Sequence, residues 1–249
     1  MPVVVISSPK GGVGKTTLTA NLAVALARQG WGVTAVDFDS QNALKFHLGV
    51  DQEIALGVCA LLNNGQDWRS AVVPTRSGVR LIAHGRSSLA EMISAEERVS
   101  PELLARSFSD LAPGPRDLVI ADTPPGQNRF LAALEPIADV GLVVFLADAG
   151  SMAVLPNYRG GLFLRPWHRG EPRVFGVLNQ VDPRRRLSRE IRQFAEERFQ
   201  DRFVGTVHYD EAMAEALAHG STVIERVGSA IGAAADIAAM ASRLTTLLA

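Results

Sequence analysis

The sequence has very little cysteine, which limits the kinds of protein it can be. Its 249 residues include one cysteine, Cys59, so no disulfide can form within the chain. A chain without disulfides suits a reducing compartment. The sequence also has no signal peptide and no apolar run long enough to cross a bilayer. We therefore expect a cytoplasmic protein with no direct membrane insertion.

An excess of charge of either sign is also missing. Lys and Arg total 25 and Asp and Glu total 26, so a nucleic acid or an anionic lipid would have to bind a local patch. The five histidines are scattered without metal-ligand spacing, and we expect no zinc site. Hydrophobic residues make up 47% of the chain, as in an ordinary globular protein. We expect residues 1–249 to form a single domain.

The most informative feature that is present is a glycine-rich loop. An apolar stretch at 3–6 precedes it, and a helical pattern with Leu18, Leu22 and Leu26 on one face follows. A loop in this setting predicts that a nucleoside triphosphate binds with magnesium. Glycines let backbone N–H groups approach phosphate oxygens, and the helix N-terminus adds further donors. The predicted nucleotide-binding residues are Lys10, Gly11, Gly12, Val13, Gly14, Lys15, Thr16 and Thr17.

Within this loop, Lys15 is expected to reach the β- and γ-phosphates and the Thr16 hydroxyl to bind Mg²⁺. The first glycine of the usual pattern is replaced by Pro9, and a second lysine, Lys10, precedes Lys15 by five residues. This variant resembles the phosphate loop of the ParA/MinD class of ATPases. The resemblance implies ATP and Mg²⁺ as ligands, catalytic roles for Lys10 and Lys15, and a homodimer in the ATP state. In that class the extra lysine contacts the partner subunit's phosphates; the alternative is a solvated turn lysine.

The rest of the chain alternates between strand-like and helix-like stretches. We predict strands at 2–7, 32–37, 79–83, 117–122, 139–146, 173–178 and 203–207, and the clearest helices at 15–29, 187–199, 210–219 and 230–248. Such alternation predicts an α/β fold with a doubly wound, mostly parallel sheet and helices on both faces. This is the P-loop NTPase fold of the ParA/MinD type. Ligands should bind at the carboxyl ends of the strands.

Carboxylates follow two of the predicted strands. Asp37 and Asp39 would share one face if the strand continued, and Asp122 ends the strand at 117–122. Asp122 matches a Walker B carboxylate that holds Mg²⁺. The ParA/MinD resemblance places Asp37 near the metal's water shell, gives Asp39 the role of activating the attacking water, and makes 123–126 the loop that senses the γ-phosphate. The alternative for Asp37 and Asp39 is capping of the next helix.

A base-binding group is expected from two later segments. Asn179 follows an apolar run, and the ParA/MinD class uses an asparagine there to pair with adenine, whose N6 and N7 match an amide. The sequence 179–182 also resembles the guanine-reading motif of GTPases, but Gln180 replaces its lysine, so we favour adenine. A plain turn asparagine is the third possibility. His208 and Tyr209 are expected to close over the base from the other side.

Five arginines, Arg184, Arg185, Arg186, Arg189 and Arg192, surround the start of a predicted helix. They could bind DNA phosphates, as in partition ATPases, or an acidic protein. We favour a solvated helix face opposite an apolar stripe formed by Leu187, Ile191, Phe194 and Phe199. The apolar stripe of the last helix includes Ile237, Met240, Leu244, Leu247 and Leu248. Because only Arg243 could add a basic face there, we expect this helix to pack on the core and not on a membrane.

Two further stretches, 64–69 and 208–215, resemble the BcsQ family, the accessory ATPases of bacterial cellulose secretion. The resemblance extends over nearly the full length. It implies a slow ATPase that acts as a switch. It also implies two partners, a small companion subunit and the membrane-bound cellulose synthase complex, with recruitment to the inner membrane from the cytoplasm.

Overall fold

A computed structural model describes residues 1–111, 114–159, 173–228 and 230–248. The strands in these ranges are Val3–Ser7 (β1), Gly32–Asp37 (β2), Val73–Pro74 (β3), Arg80–Ile82 (β4), Asp117–Asp122 (β5), Val140–Leu146 (β6), Val174–Val181 (β7) and Phe203–His208 (β8). The α-helices are Lys15–Arg28 (α1), Leu44–His47 (α2), Val58–Asn64 (α3), Leu89–Arg98 (α4), Pro101–Leu111 (α5), Arg129–Leu134 (α6), Ala149–Arg159 (α7), Arg186–Phe199 (α8), Glu211–Ala218 (α9), Val223–Val227 (α10) and Gly232–Leu248 (α11). Short 3₁₀ turns lie at Trp68–Ala71 and Gln200–Arg202.

The strands form one sheet in the order β3-β4-β2-β5-β1-β6-β7-β8. All neighbouring pairs are parallel except β3 with β4. The predicted doubly wound, mostly parallel sheet is therefore confirmed, and all seven predicted strands are present. The sequence analysis missed β3, a two-residue antiparallel strand at the sheet edge that ends in Pro74. Strand β1 lies at the centre, between β5 and β6, so the loop that follows it emerges in the middle of the sheet.

Alternation along β1 explains why helices cover both faces of the sheet. Val4 and Ile6 pack into a core cluster with residues of α1 and α11. Val3 and Val5 point the other way, into a cluster with residues of α3, α5 and α6. Successive strand side chains face opposite sides, so a strand buried on both faces is apolar throughout.

Helices α1 and α11 pack against each other on one face of the sheet. In α11 the side chains of Ile237, Met240 and Leu244 are buried, and Leu247 and Leu248 pack against the same cluster. The predicted core packing of this helix is confirmed. Among the residues that the structure describes, no helix is long and apolar enough to span a bilayer.

The predicted apolar stripe of α8 is wrong in part. Leu187 and Phe194 are 52% and 40% exposed, whereas Ile191 is buried. The buried side of α8 consists of Ser188, Ile191 and Ala195. Because Ser188 and Ala195 are small, the helix can lie close to the sheet, and Leu187 and Phe194 stay partly exposed.

Candidate functional site

The glycine-rich loop connects the central strand β1 to α1. Gly12 and Gly14 have φ angles of 74° and 87°, in the left-handed region that favours glycine. Val13 between them is buried and anchors the loop. Gly14 is the N-cap of α1. Because glycine has no side chain, no capping group occupies the N–H groups of the first turn. Helix N–H groups at such an end can bind phosphate oxygens.

Asp122, at the end of β5, lies beneath this loop. Its Oδ2 accepts a hydrogen bond from the Thr16 hydroxyl at 2.6 Å, and its Oδ1 accepts one from Thr19 at 3.2 Å. Burial raises the pKa of Asp122 to about 6, although Thr16 and the charge of Lys15 act in the opposite direction. Lys15 is itself 6% exposed, and its positive charge acts on this carboxylate.

Asp37 lies beside Asp122, because the two residues are paired in register between β2 and β5. Its Oδ1 accepts from the backbone N–H of Asp39 at 2.9 Å and its Oδ2 from that of Leu44 at 3.1 Å. Burial, and then the charge of Asp122, raise the pKa of Asp37 well above its usual value. Two neighbouring buried carboxylates favour a bound cation.

The oxygen atoms at this position suit Mg²⁺. Hydroxyl and carboxylate oxygens are the ligands that Mg²⁺ prefers, and it commonly takes one or two carboxylates together with phosphate oxygens and water. The 2.6 Å contact between Thr16 and Asp122 shows that both side chains reach a common point. Within the described part of the chain, which leaves out His168, no group of three or more His, Cys, Asp or Glu side chains could hold a metal. The set fits a metal shared with a triphosphate.

Asp39 lies in a turn, because β2 ends at Asp37, as predicted, and does not continue to Asp39. The Asp39 Oδ1 accepts a hydrogen bond from the backbone N–H of Gln41 at 3.0 Å. The capping alternative is realised in part, since Asp37 accepts from Leu44, the first residue of α2. These bonds shape the turn and place the half-buried Asp39 next to the two buried carboxylates.

Lys10 pairs within its own chain. Its Nζ lies 2.8 Å from Oδ2 of Asp148, which precedes α7. Burial raises the pKa of Asp148, but hydrogen bonds from Lys10 and Ser151 outweigh it and hold the pKa below its usual value. The side chains of Lys10 and Asp148 are 32% and 43% exposed. Lys10 is therefore neither a free solvated lysine nor directed at its own phosphate site.

The loop after β5 packs against the glycine-rich loop. The Thr123 hydroxyl donates to the carbonyl of Ile6 at 2.8 Å, and the Gly126 N–H donates to the carbonyl of Ser8 at 2.8 Å. Asn128 donates to the carbonyls of Pro124 and Gly126. These bonds connect 123–126 to the end of β1 and the start of the glycine-rich loop.

A cavity of about 230 Å³ adjoins the glycine-rich loop. The structure brings the three predicted base-binding residues together in its lining, where Asn179, His208 and Tyr209 lie near Gly14 and Thr17. The cavity is continuous with the N-terminus of α1, as a base-binding cavity beside a phosphate site must be.

Asn179 lies within a strand and not in a turn, because β7 continues to Val181. Its Nδ2 donates to the carbonyl of Val13 at 2.8 Å and its Oδ1 accepts from the N–H of Gln180 at 3.0 Å. The turn-asparagine alternative is therefore wrong. The guanine-reading alternative has little structural support, since Asp182 is bonded to Arg184 and does not line the cavity.

Comparison with known proteins agrees with this geometry. Residues 1–244 match the family described as cellulose biosynthesis protein BcsQ. The chain belongs to the BcsQ family. It is 29% identical over 157 residues to BcsQ of Escherichia coli strain K12, which covers 60% of this chain and 60% of that relative's length.

The wider ParA/MinD class is also evident. This BcsQ-family chain is 30% identical over 241 residues to the chromosome-partitioning ATPase Soj of Thermus thermophilus, covering 92% of this chain and 90% of that protein. Its fold resembles that of MinD from Pyrococcus horikoshii, solved with Mg-ADP, with a TM-score of 0.78, 23% identity and coverage of 99% of this chain and 96% of that one.

Sequence reasoning missed two acidic residues of this site. Asp148 could have been noted because it follows a predicted strand, as Asp37 and Asp122 do. Asp236 accepts a hydrogen bond from His208 and lies on α11, where an acidic residue among alanines was the only signal.

The five arginines near α8 bind groups on their own segment. Arg184 and Arg185 pair with Asp182, Arg186 with Glu190 and Arg192 with Glu196, and Arg189 donates to the carbonyl of Pro183. These contacts favour the solvated helix face.

Replacing Gly14 with alanine tests the packing of the glycine-rich loop on Asn179. Gly12→Ala is the matched control, because its φ is also positive but an added Cβ would meet nothing within 4 Å. We expect Gly12→Ala to lower the free energy of unfolding by about 1–2 kcal/mol through backbone strain. Gly14→Ala should cost at least about 1 kcal/mol more, since its Cβ would overlap the Asn179 amide and break the bond to Val13. Urea unfolding of the nucleotide-free proteins measures both, and equal losses would contradict the packing.

Proposed function

We propose that this BcsQ-family chain is an ATP- and Mg²⁺-dependent switch that pairs with a second copy and serves a cellulose synthase complex. One observation supports this most: the candidate phosphate and metal residues lie beside the Asn179 cavity at the carboxyl ends of the strands. These residues are Lys15, Thr16, Asp37 and Asp122. Phosphate, metal and base sites are then contiguous.

The chain's own groups hold the nucleotide. Backbone N–H groups of the glycine-rich loop and of the first turn of α1 bind the phosphates, and the Lys15 ammonium group neutralises them. Asn179, His208 and Tyr209 surround the base. Thr16 and Asp122 hold Mg²⁺, with Asp37 behind them, and the metal when bound offsets charge on the phosphate oxygens.

Asp39 is the group proposed to orient the attacking water. It lies in the turn held by Asp37, close to the metal position but only half buried. Its carboxylate can accept a hydrogen bond from a water whose oxygen attacks the γ-phosphorus, with ADP as the leaving group. Release of phosphate then loosens 123–126, and the slow cycle of binding and hydrolysis acts as a switch.

Lys10 is proposed to neutralise the partner subunit's triphosphate. In the single chain its ammonium group is paired with Asp148, so this ion pair must open for Lys10 to reach across. The pair is partly exposed, and exposed ion pairs contribute little to stability. A triphosphate, with several negative oxygens, can therefore displace Asp148.

Replacing Lys10 with alanine tests the cross-subunit role. We expect Lys10→Ala to abolish ATP-dependent dimers in analytical ultracentrifugation while ATP still binds the monomer, because Lys15 and the loop amides remain. Asp148→Asn is the matched control. It breaks the same ion pair but keeps Lys10, so its ATP-dependent dimers should persist. Undiminished dimers in Lys10→Ala, or their loss in both variants alike, would contradict the role.

Replacing Asp39 with alanine separates a switch from a static nucleotide-binding protein. We expect phosphate release by Asp39→Ala to fall by roughly 10²-fold or more, the usual contribution of a positioned acid–base group. ATP binding should change little, because Asp39 does not line the cavity. Unchanged phosphate release would remove the assignment.

The same variant, trapped with ATP, identifies the partner. The proposed partners are a small companion subunit and the membrane-bound cellulose synthase complex, which would recruit this cytoplasmic chain to the inner membrane. Support comes from the family match over residues 1–244. In a pull-down with tagged Asp39→Ala and ATP, synthase components should co-purify, and less so with ADP. Recovery of bulk DNA or a centromere-binding protein instead would favour a partition function.

A further inference from the structure

His208 is held in one orientation by a carboxylate from another element. Its Nδ1 lies 2.8 Å from Oδ2 of Asp236, and its backbone N–H donates to the same oxygen at 2.9 Å. His208 ends β8, and Asp236 lies on α11. The His208 side chain is 36% exposed and lines the cavity beside Asn179, so one edge of the ring faces Asp236 while the ring forms part of the cavity wall.

Hydrogen bonds and core packing hold the elements that carry His208 and Asp236 in place. Asp210, two residues after His208, accepts hydrogen bonds from Ala212 at 3.0 Å and from Ala233 in the first turn of α11 at 3.1 Å. Farther along, Ile237 and Met240 fix α11 in the core. The cavity wall is therefore tied to the buried part of α11 at both His208 and Asp210.

The partner decides which ring nitrogen of His208 carries the proton. An ionised carboxylate only accepts hydrogen bonds, so Nδ1 must be the donor to Asp236. In the neutral ring Nε2, on the opposite edge, is then an acceptor. If Nδ1 instead accepted a hydrogen bond from an amide N–H, the proton of the neutral ring would be on Nε2, which would then be a donor.

We propose that Asp236 is a positioning residue that makes His208 a hydrogen-bond acceptor toward the nucleobase and so favours adenine over guanine. The inference rests on the proposed function, in which the cavity holds a purine base. Adenine carries an amino group at position 6, which donates, whereas guanine carries an oxygen there, which only accepts. An acceptor at Nε2 can bond the amino group of adenine but leaves the oxygen of guanine unpaired.

Asn179 by itself does not explain such a preference. One of its N–H groups bonds the Val13 carbonyl, and its oxygen accepts from Gln180. The amide retains one N–H and one lone pair, which suit a donor–acceptor edge on either purine. A group that presents only an acceptor, such as the His208 ring, adds the discrimination.

The test compares ATP with GTP binding by the intact protein at pH 8 with Mg²⁺, using calorimetry. The proteins are wild type, Asp236→Ala, His208→Ala and the double variant. We expect the wild type to prefer ATP. In Asp236→Ala no carboxylate holds the proton on Nδ1, so the neutral ring can carry it on Nε2 instead. The ratio of ATP to GTP affinity should then fall roughly three- to tenfold, the worth of one hydrogen bond.

His208→Ala should lower the ratio to a similar extent, and Asp236→Ala should change it no further in that background, because the carboxylate acts through the ring. Asp139→Ala is the matched control. It removes a carboxylate that accepts a hydrogen bond from the backbone N–H of Val3. This bond lies at the start of β1, far from the cavity, so the ratio of ATP to GTP affinity should remain that of the wild type.

The outcomes separate the inference from the proposed function. A wild type that prefers ATP, with the same ratio in Asp236→Ala and His208→Ala, overturns the inference and leaves the ATP switch standing. Parallel weakening of both nucleotides, with no change in ratio, shows a structural role only and also overturns it. A wild type with no preference, or a preference for GTP, does the same. Binding of neither nucleotide overturns the proposed function as well.

Discussion

Two buried carboxylates on neighbouring strands place the strongest constraint on this molecule. Asp37 and Asp122 are paired in register, and burial raises the pKa of both. Hydroxyls and backbone N–H groups occupy their oxygens, and the ammonium group of Lys15 is the positive charge that acts on Asp122. Buried negative charge is costly unless a cation compensates it. We propose that a metal ion bound together with a triphosphate supplies that compensation.

The remaining parts of the site are arranged around this pair. Because β1 is central, the glycine-rich loop meets the ends of β2, β5, β6 and β7 at one edge. The bond from Asn179 to the Val13 carbonyl links the base cavity to the phosphate loop, and the bond from Gly126 to Ser8 links the loop after β5 to the same strand end. These two bonds connect the parts of the site on which the proposed switch depends.

Local sequence patterns predicted every described strand except β3, and also the glycine-rich loop, because apolar runs and glycine spacing are local properties. The same patterns placed Asp37, Asp122 and Asn179 at the correct sheet edge. The local patterns did not predict which side chains of α8 face the sheet, because packing determines that. Leu187 and Phe194 were assigned to the core, but the smaller Ser188 and Ala195 face the sheet instead. The partners of Lys10 and His208 are 138 and 28 residues away, and no spacing rule relates them.

We expect a nucleoside triphosphate and Mg²⁺ to bind together at the carboxyl ends of the central strands. Calorimetric titration of the purified protein with ATP, in Mg²⁺ and in EDTA, tests it most directly, with Asp122→Asn as the comparison. We predict that ATP binds the wild type much more tightly with Mg²⁺, and that Asp122→Asn loses most of this difference. Equal affinity of the wild type for ATP in Mg²⁺ and in EDTA, or no binding in either, would contradict the account.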